Sequence, residues 1–215
     1  HKSSRTETYD GMWRLDARHG PGKFTWPNGD VYEGNWQSNL RNGHGVLTTP
    51  DGEVYDGKWV GDVKCGEGRF RAGPNGEVYF GQWFQSQRNG IGQCDYPDGS
   101  TYKGNWRDGQ QHGSGYWQHI TGESYRGSWS AGQRHGDGLH RTVTGEEYRG
   151  SYHANLRSGK GTLLHANGAR YEGEWREGLQ AGIGEYWETS GEYYKGEWKD
   201  GERCGKGRCV YAGGD

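Results

Sequence analysis

Large and small-or-polar residues alternate over short stretches of this chain, as in Tyr32-Glu33-Gly34-Asn35-Trp36. That period of two belongs to a strand with one covered face. A longer period lies on top of it. Tyr-x-Gly-x-Trp or a close variant starts at Tyr9, Tyr32, Tyr55, Tyr79, Tyr102, Tyr125, Tyr148, Tyr171 and Tyr194. The step is 23 residues, except one of 24 between Tyr55 and Tyr79. Self-similarity at such a period is the mark of a repeat array, each unit covering its neighbour. No segment keeps a helical period over the roughly ten residues a helix needs.

Positions are counted from the first Tyr of each unit as zero. Position 4 is Trp in eight units (Trp13, Trp36, Trp59, Trp83, Trp106, Trp129, Trp175 and Trp198) and Tyr152 in the seventh. Glycine fills positions 2, 11 and 13 of every unit and position 20 (21 in the longer third unit), which takes up 36 of the 43 glycines. Near position 7 stand Asp16, Asn39, Asp62, Ser86, Gly109, Gly132, Asn155, Gly178 and Gly201. Gly, Asn and Asp are the residues that tolerate a left-handed backbone in a turn. The second junction reads Pro-Asn-Gly at 27–29, Pro-Asp-Gly at 50–52 and 97–99, and Thr-Gly at 121–122 and 144–145. These are hairpin signals. Each unit is therefore predicted to be strand, turn, strand, turn. A first loop over positions 6–9 would set Trp opposite the glycine of position 11, Gly 2 opposite Gly 13, and Tyr opposite position 15, which holds Phe24, Leu47, Phe70, Trp117 and Tyr186 among others. A three-residue second turn would bring the next unit in on the same register, with every Tyr and Trp on one face.

Composition then takes on a different meaning. Leu, Ile, Val and Phe number only 23 in 215 residues. Such a shortage accompanies disorder when net charge is high, but 26 basic residues offset 28 acidic ones to leave −2. With 15 Tyr and 11 Trp, the expected core is a stripe of rings packed on bare glycine backbone. The small net charge speaks against general nucleic-acid binding. No stretch approaches the ~18 apolar residues of a membrane span, and no apolar segment near the start resembles a signal peptide.

The repeat resembles the MORN (membrane occupation and recognition nexus) repeat, on copies such as Tyr32 to Gly45, YEGNWQSNLRNGHG, and Tyr171 to Gly184, YEGEWREGLQAGIG. The resemblance covers nearly the whole chain. It divides it into 1–8, the remnant of a preceding repeat or a linker, and nine repeats at 9–31, 32–54, 55–78, 79–101, 102–124, 125–147, 148–170, 171–193 and 194–215. It implies an all-β fold: an elongated single-layer antiparallel ribbon, one hairpin per repeat. Relatives with further domains carry lipid-kinase, methyltransferase or membrane-tethering functions. A chain of repeats alone is similar to the cytoskeletal members, among them the protist scaffold of apicomplexan basal complexes and kinetoplastid collars.

Charged columns mark candidate surfaces. Position 9 holds Arg18, Arg41, Lys64, Arg88, Gln111, Arg134, Arg157, Gln180 and Arg203. The residue after the turn glycine is Asp30, Glu53, Glu77, Ser100, Glu123, Glu146, Ala169, Glu192 or Asp215. On the expected register these columns would form a basic and an acidic long edge. A shorter basic stripe, Lys103, Arg126 and Arg149 at position 1 of consecutive repeats, has the spacing to meet a phosphoinositide headgroup or another polyanion.

The four cysteines, Cys65, Cys94, Cys204 and Cys209, contain no CxxC pair and fit a reducing compartment. Cys204 and Cys209 stand at opposite strand parity. Position 10 gathers His19, Cys65, His112, His135 and Cys204, but like positions in adjacent repeats are about 10 Å apart, too far to share one zinc ion within the chain. The resemblance allows zinc at a dimer interface, with Cys204 and Cys209 as interchain ligands. No nucleophile elbow, P-loop, zinc-protease or kinase signature occurs, and the recurring Gly-x-Gly lies inside hairpins rather than before a helix. Neither end carries a cap, and an uncapped array exposes edges, so the chain is expected either to be part of a longer array or to cover its ends by self-association. The rings Tyr186, Trp187, Tyr193 and Tyr211, with Cys204 and Cys209, are therefore expected at a homodimer interface. The reading is a non-enzymatic, rod-like homodimeric scaffold of a cytoplasmic cytoskeletal assembly, needing no cofactor. A phosphoinositide-binding adaptor and a zinc-dependent assembly module are the alternatives.

Overall fold

In the computed structural model, residues 6–213 are described. They form eighteen strands and no helix. The chain divides into two compact units, residues 1–110 and 111–215. The first holds β1 (Thr8–Arg14), β2 (Ala17–Thr25), β3 (Val31–Gln37), β4 (Leu40–Thr48), β5 (Val54–Val60), β6 (Val63–Arg71), β7 (Val78–Phe84), β8 (Gln87–Asp95) and β9 (Thr101–Arg107). The second holds β10 (Gln110–Gln118), β11 (Ser124–Ser130), β12 (Gln133–Arg141), β13 (Glu147–His153), β14 (Leu156–Leu164), β15 (Arg170–Arg176), β16 (Leu179–Trp187), β17 (Tyr193–Lys199) and β18 (Glu202–Val210). Within each unit every strand pairs antiparallel with its successor. Each unit is thus a single-layer meander of tandem hairpins.

The first turn is shorter than the sequence reading expects. Gln37 pairs with Leu40, leaving only Ser38 and Asn39 between the strands, both with positive φ (49° and 69°). Val60 pairs with Val63 around Gly61 and Asp62, again both left-handed (56° and 68°). Two consecutive left-handed residues define the tight hairpin turn whose twist matches that of the strands. The second turn is as expected: Trp26 N–H bonds Asp30 O at 2.9 Å across three residues, and Gly29 takes φ 94°.

The shorter turn changes who faces whom. Tyr32 opposes Leu47 and Gly34 opposes Gly45, as expected, but Trp36 opposes Arg41 rather than Gly43. Two extra residues are taken up in β4 by a bulge, with Gly43 left-handed at φ 80°. An even insertion keeps the side-chain parity, so the ring face survives the slip. Trp does face the glycine of position 11, but across the junction between repeats: Gly43 pairs with Trp59 and Gly20 with Trp36.

The rings form a continuous zipper in each unit. Tyr32 packs edge-on against Trp36 (5.0 Å) and against Trp59 of the next repeat (5.6 Å). Tyr171 does the same with Trp175 (5.2 Å) and Trp198 (5.0 Å). Edge-to-face contacts at these spacings contribute about 0.5–1.5 kcal/mol each beyond area burial. The polar tips of Tyr32 and Trp59 are satisfied by backbone. Tyr32 O–H donates to Asn35 O at 3.1 Å, and Trp59 Nε1–H donates to Gly45 O of the preceding repeat at 3.0 Å. Tyr32, Tyr55, Trp59 and Tyr171 are at most 1% exposed, although the sheet has one layer. Trp13, which has no preceding repeat among the described residues to pack on, is 61% exposed.

Glycine 2 and glycine 13 of each repeat make room for the ring. A methyl on Gly34 would stand 2.6 Å from the Tyr32 hydroxyl, and one on Gly45 would overlap the same ring. At Gly109, by contrast, nothing lies within 4 Å, and only its φ of 79° resists a side chain. Gly45→Ala is therefore expected to cost about 3 kcal/mol by displacing a packed ring, and Gly109→Ala about 1 kcal/mol of backbone strain. Urea unfolding followed by Trp fluorescence checks this; equal losses would refute the ring-cradle assignment.

Candidate interaction surfaces

The basic column does not form an exposed edge. Its members turn onto the ring face and stack over the zipper. The Arg41 guanidinium lies 4.1 Å from the Trp59 ring centroid, Arg18 4.5 Å from Trp36, Lys64 4.6 Å from Tyr55, and Arg157 4.8 Å from Tyr148. Such cations add to the rings they cover, more so when desolvated. Each also ties its repeat to the next turn: Arg41 N–H and Nε–H both donate to Asp62 Oδ1, at 2.9 and 2.8 Å. Asn39 and Asn155 accept the Arg18 and Arg134 N–H groups in the same way, at 2.8 and 2.9 Å. The residue at position 7 therefore both forms the turn and caps the preceding repeat.

The acidic column meets the basic one directly. Glu77 bridges to Arg88, and Glu192 to Arg203 at 3.2 Å. Glu123 and Glu146 pair with His140 (2.8 Å) and His165 (3.1 Å). The expectation of two separate charged edges is thereby overturned: the first turn is too short to hold position 9 apart from the rings, and the three-residue turn brings the acid over the same face. Asp215 lies outside the described residues.

Lys103 is exposed on the plain face of the first unit, the face without the zipper; Arg126 and Arg149 are exposed on that of the second. Arg126 and Arg149 both pair with Leu139, so they flank it in one row. The Arg126 guanidinium stands 5.0 Å from the Tyr116 ring. Further along the row lie Glu172 and Glu185, so the basic stretch is short.

The residues expected at one interface divide between two faces. Tyr186 packs on Trp198 at 6.1 Å on the ring face, and Cys209, paired with Tyr194, sends its Sγ to Glu192 at 3.5 Å on that same face. Tyr211 is exposed beside Cys209. Trp187 and Tyr193 pair on the plain face, rings 5.5 Å apart, with the Arg170 guanidinium 4.3 Å over Trp187 and the Tyr193 hydroxyl donating to Glu185 at 2.8 Å. Cys204 pairs with Glu197 on the plain face. Cys204 and Cys209 thus stand on opposite faces, as their parity predicts. Among the described residues no three His, Cys, Asp or Glu side chains converge on a metal position.

Burial shapes the titrating groups. The Cys94 thiol, fully buried and 3.7 Å from Glu77, is pushed up to about 12 first by burial and then by that carboxylate, which leaves it an inert core group. Burial also lowers the His140 imidazole below its ordinary 6.5, with Arg134 and Arg157 adding to the fall and Glu123 opposing it. The unfolded chain then takes the proton more readily than the folded one. Stability from this group is complete above about pH 6.5 and lost as the pH drops through and below that value. His140→Gln should flatten the fall in unfolding midpoint between pH 7 and pH 5 relative to the wild type. A wild-type midpoint that rises on acidification would contradict the assignment.

A family model described as MORN repeat matches nine times, at residues 9–31, 32–54, 55–76, 79–101, 102–122, 125–145, 148–170, 171–192 and 194–215. No curated protein sequence matches the chain. Among solved structures, the chain is similar to the TCP domain of Drosophila melanogaster SAS-4 (dCPAP), in complex with a proline-rich motif of Ana2, at 10% identity and TM-score 0.43, over 73% of this chain and 85% of that one. It is also similar to the TCP10 domain of Danio rerio CPAP, at 14% identity and TM-score 0.31, over 72% and 84%. Nine tandem matches spanning almost every residue, each on the Tyr, Gly and Trp positions that build the zipper, place the chain in the MORN-repeat family.

Proposed function

We propose that this MORN-repeat chain is a non-catalytic scaffold of a cytoplasmic, cytoskeleton-associated assembly, like the protist all-repeat proteins, and that it binds first to a second copy of itself. One observation carries the reading. The ring face is filled by its own zipper, cations and carboxylates, so partners must be met on the plain face. In the last repeats that face holds Trp187, Tyr193, Arg170, Leu164 and Val210, a composition of the kind enriched at protein interfaces. On this reading the contact uses Trp187, Tyr193 and Cys204, which share the plain face. Tyr186, Cys209 and Tyr211 belong to the other face, and a zinc ion held at the contact would take Cys204 without Cys209 from each chain.

A second reading is supported by Arg126 and Arg149, exposed on either side of Leu139. Two cations about 10 Å apart around an apolar residue suit an anionic lipid surface, and Lys103 would add a further contact.

Light scattering at micromolar concentration separates the two. The scaffold reading expects a dimer that Trp187→Glu and Tyr193→Glu convert to folded monomer. A monomeric wild type would refute it. The lipid reading expects sedimentation with phosphoinositide vesicles at physiological salt, lost in Arg126→Glu/Arg149→Glu. No sedimentation of the folded wild type would remove it.

A further inference from the structure

The position-10 column, set aside for metal binding because its members stand too far apart, acquires a different neighbour in the folded chain. In the second unit β12 and β13 pair Asp137 with Ser151 and Gly136 with Tyr152. The next step along the same register sets His135 opposite His153. Their ring centroids are 5.1 Å apart and the planes are tilted by 53°. Both side chains are exposed on the plain face. Neither ring has a hydrogen-bond or ion-pair partner among the described residues, so their ring nitrogens are unclaimed.

This spacing has a chemical meaning. Imidazole nitrogen sits about 2.0 Å from a bound zinc ion, and the ring centre lies about 1.2 Å further out along the same line. Two imidazoles on adjacent corners of a tetrahedron therefore have centroids about 5.2 Å apart. A tilt of 53° is not a parallel stack, and it leaves room for each ring to turn one nitrogen toward a common point. Paired neutral imidazoles favour zinc, copper and nickel over magnesium or calcium, which prefer oxygen.

We propose that His135 and His153 form a two-histidine site for a divalent transition ion of the zinc class. The two remaining corners are filled by water or by donors from a bound partner. The ion links β12 of the sixth repeat to β13 of the seventh, across the junction where repeats meet. Binding to the folded pairing alone must then raise the stability of that junction by mass action.

The test is a calorimetric titration of chelator-stripped protein with Zn2+, together with unfolding midpoints with and without the ion. Wild type should take up Zn2+ saturably and unfold at higher temperature when loaded. His135→Gln or His153→Gln should each weaken uptake about tenfold or more and abolish the midpoint shift. His44→Gln, at a histidine that bridges to Asp56 at 3.1 Å in the other unit, should change neither. Absence of saturable uptake in the wild type overturns the proposal. So does a His135→Gln/His153→Gln double variant that binds as tightly as wild type, which would place the ion at the cysteines or elsewhere.

Discussion

The structure depends on one interlock: a tyrosine ring laid across two side-chain-free glycines, and a tryptophan N–H bonded to a glycine carbonyl of the repeat before. Tyr32 occupies the space over Gly34 and Gly45, and the Gly45 carbonyl receives Trp59 of the following repeat. A single-layer sheet has no second layer to bury its apolar face. Here the backbone itself serves as the opposing surface, because at glycine a ring can approach the main chain to van der Waals distance. Since the indole donor comes from the next repeat, no repeat completes its own core, and stability is shared between neighbours.

The charged columns follow from that interlock. Rings on an open sheet would still face water, and the cations of position 9 cover them: Arg41 spreads over Trp59 while donating to the turn of the following repeat. The carboxylates of the second turn then neutralise those cations, as Glu77 does for Arg88. These charges act as the outer layer of the core. Their charge is paired locally on the ring face, while the residues of the plain face vary from repeat to repeat.

Much of this was legible in the sequence. The Tyr-x-Gly-x-Trp spacing, the alternation around it and the glycine positions together dictate strands, turns and a one-faced ring core, because a period of two can be satisfied in only one way once the turns are placed. The pairing of Tyr with position 15 and of Gly 2 with Gly 13 could be read directly, and so could the opposite facing of Cys204 and Cys209. The orientation of position 9 could not. Whether Arg41 points outward or over Trp59 depends on a two-residue turn and a two-residue bulge at Gly43, and both register choices satisfy the same glycine and asparagine signals.

The sequence by itself determined the repeat, the family, the strand content and which residues share a face. All of these depend only on spacing along the chain and on the alternation of side chains. The tertiary structure alone decided which positions touch across a strand pair. It set Arg41 opposite Trp36 rather than Gly43 and so turned the basic column onto the rings. The physical reason is the bulge. By inserting two residues it preserves parity, which sequence can see, while shifting cross-strand partners, which only the folded backbone reveals.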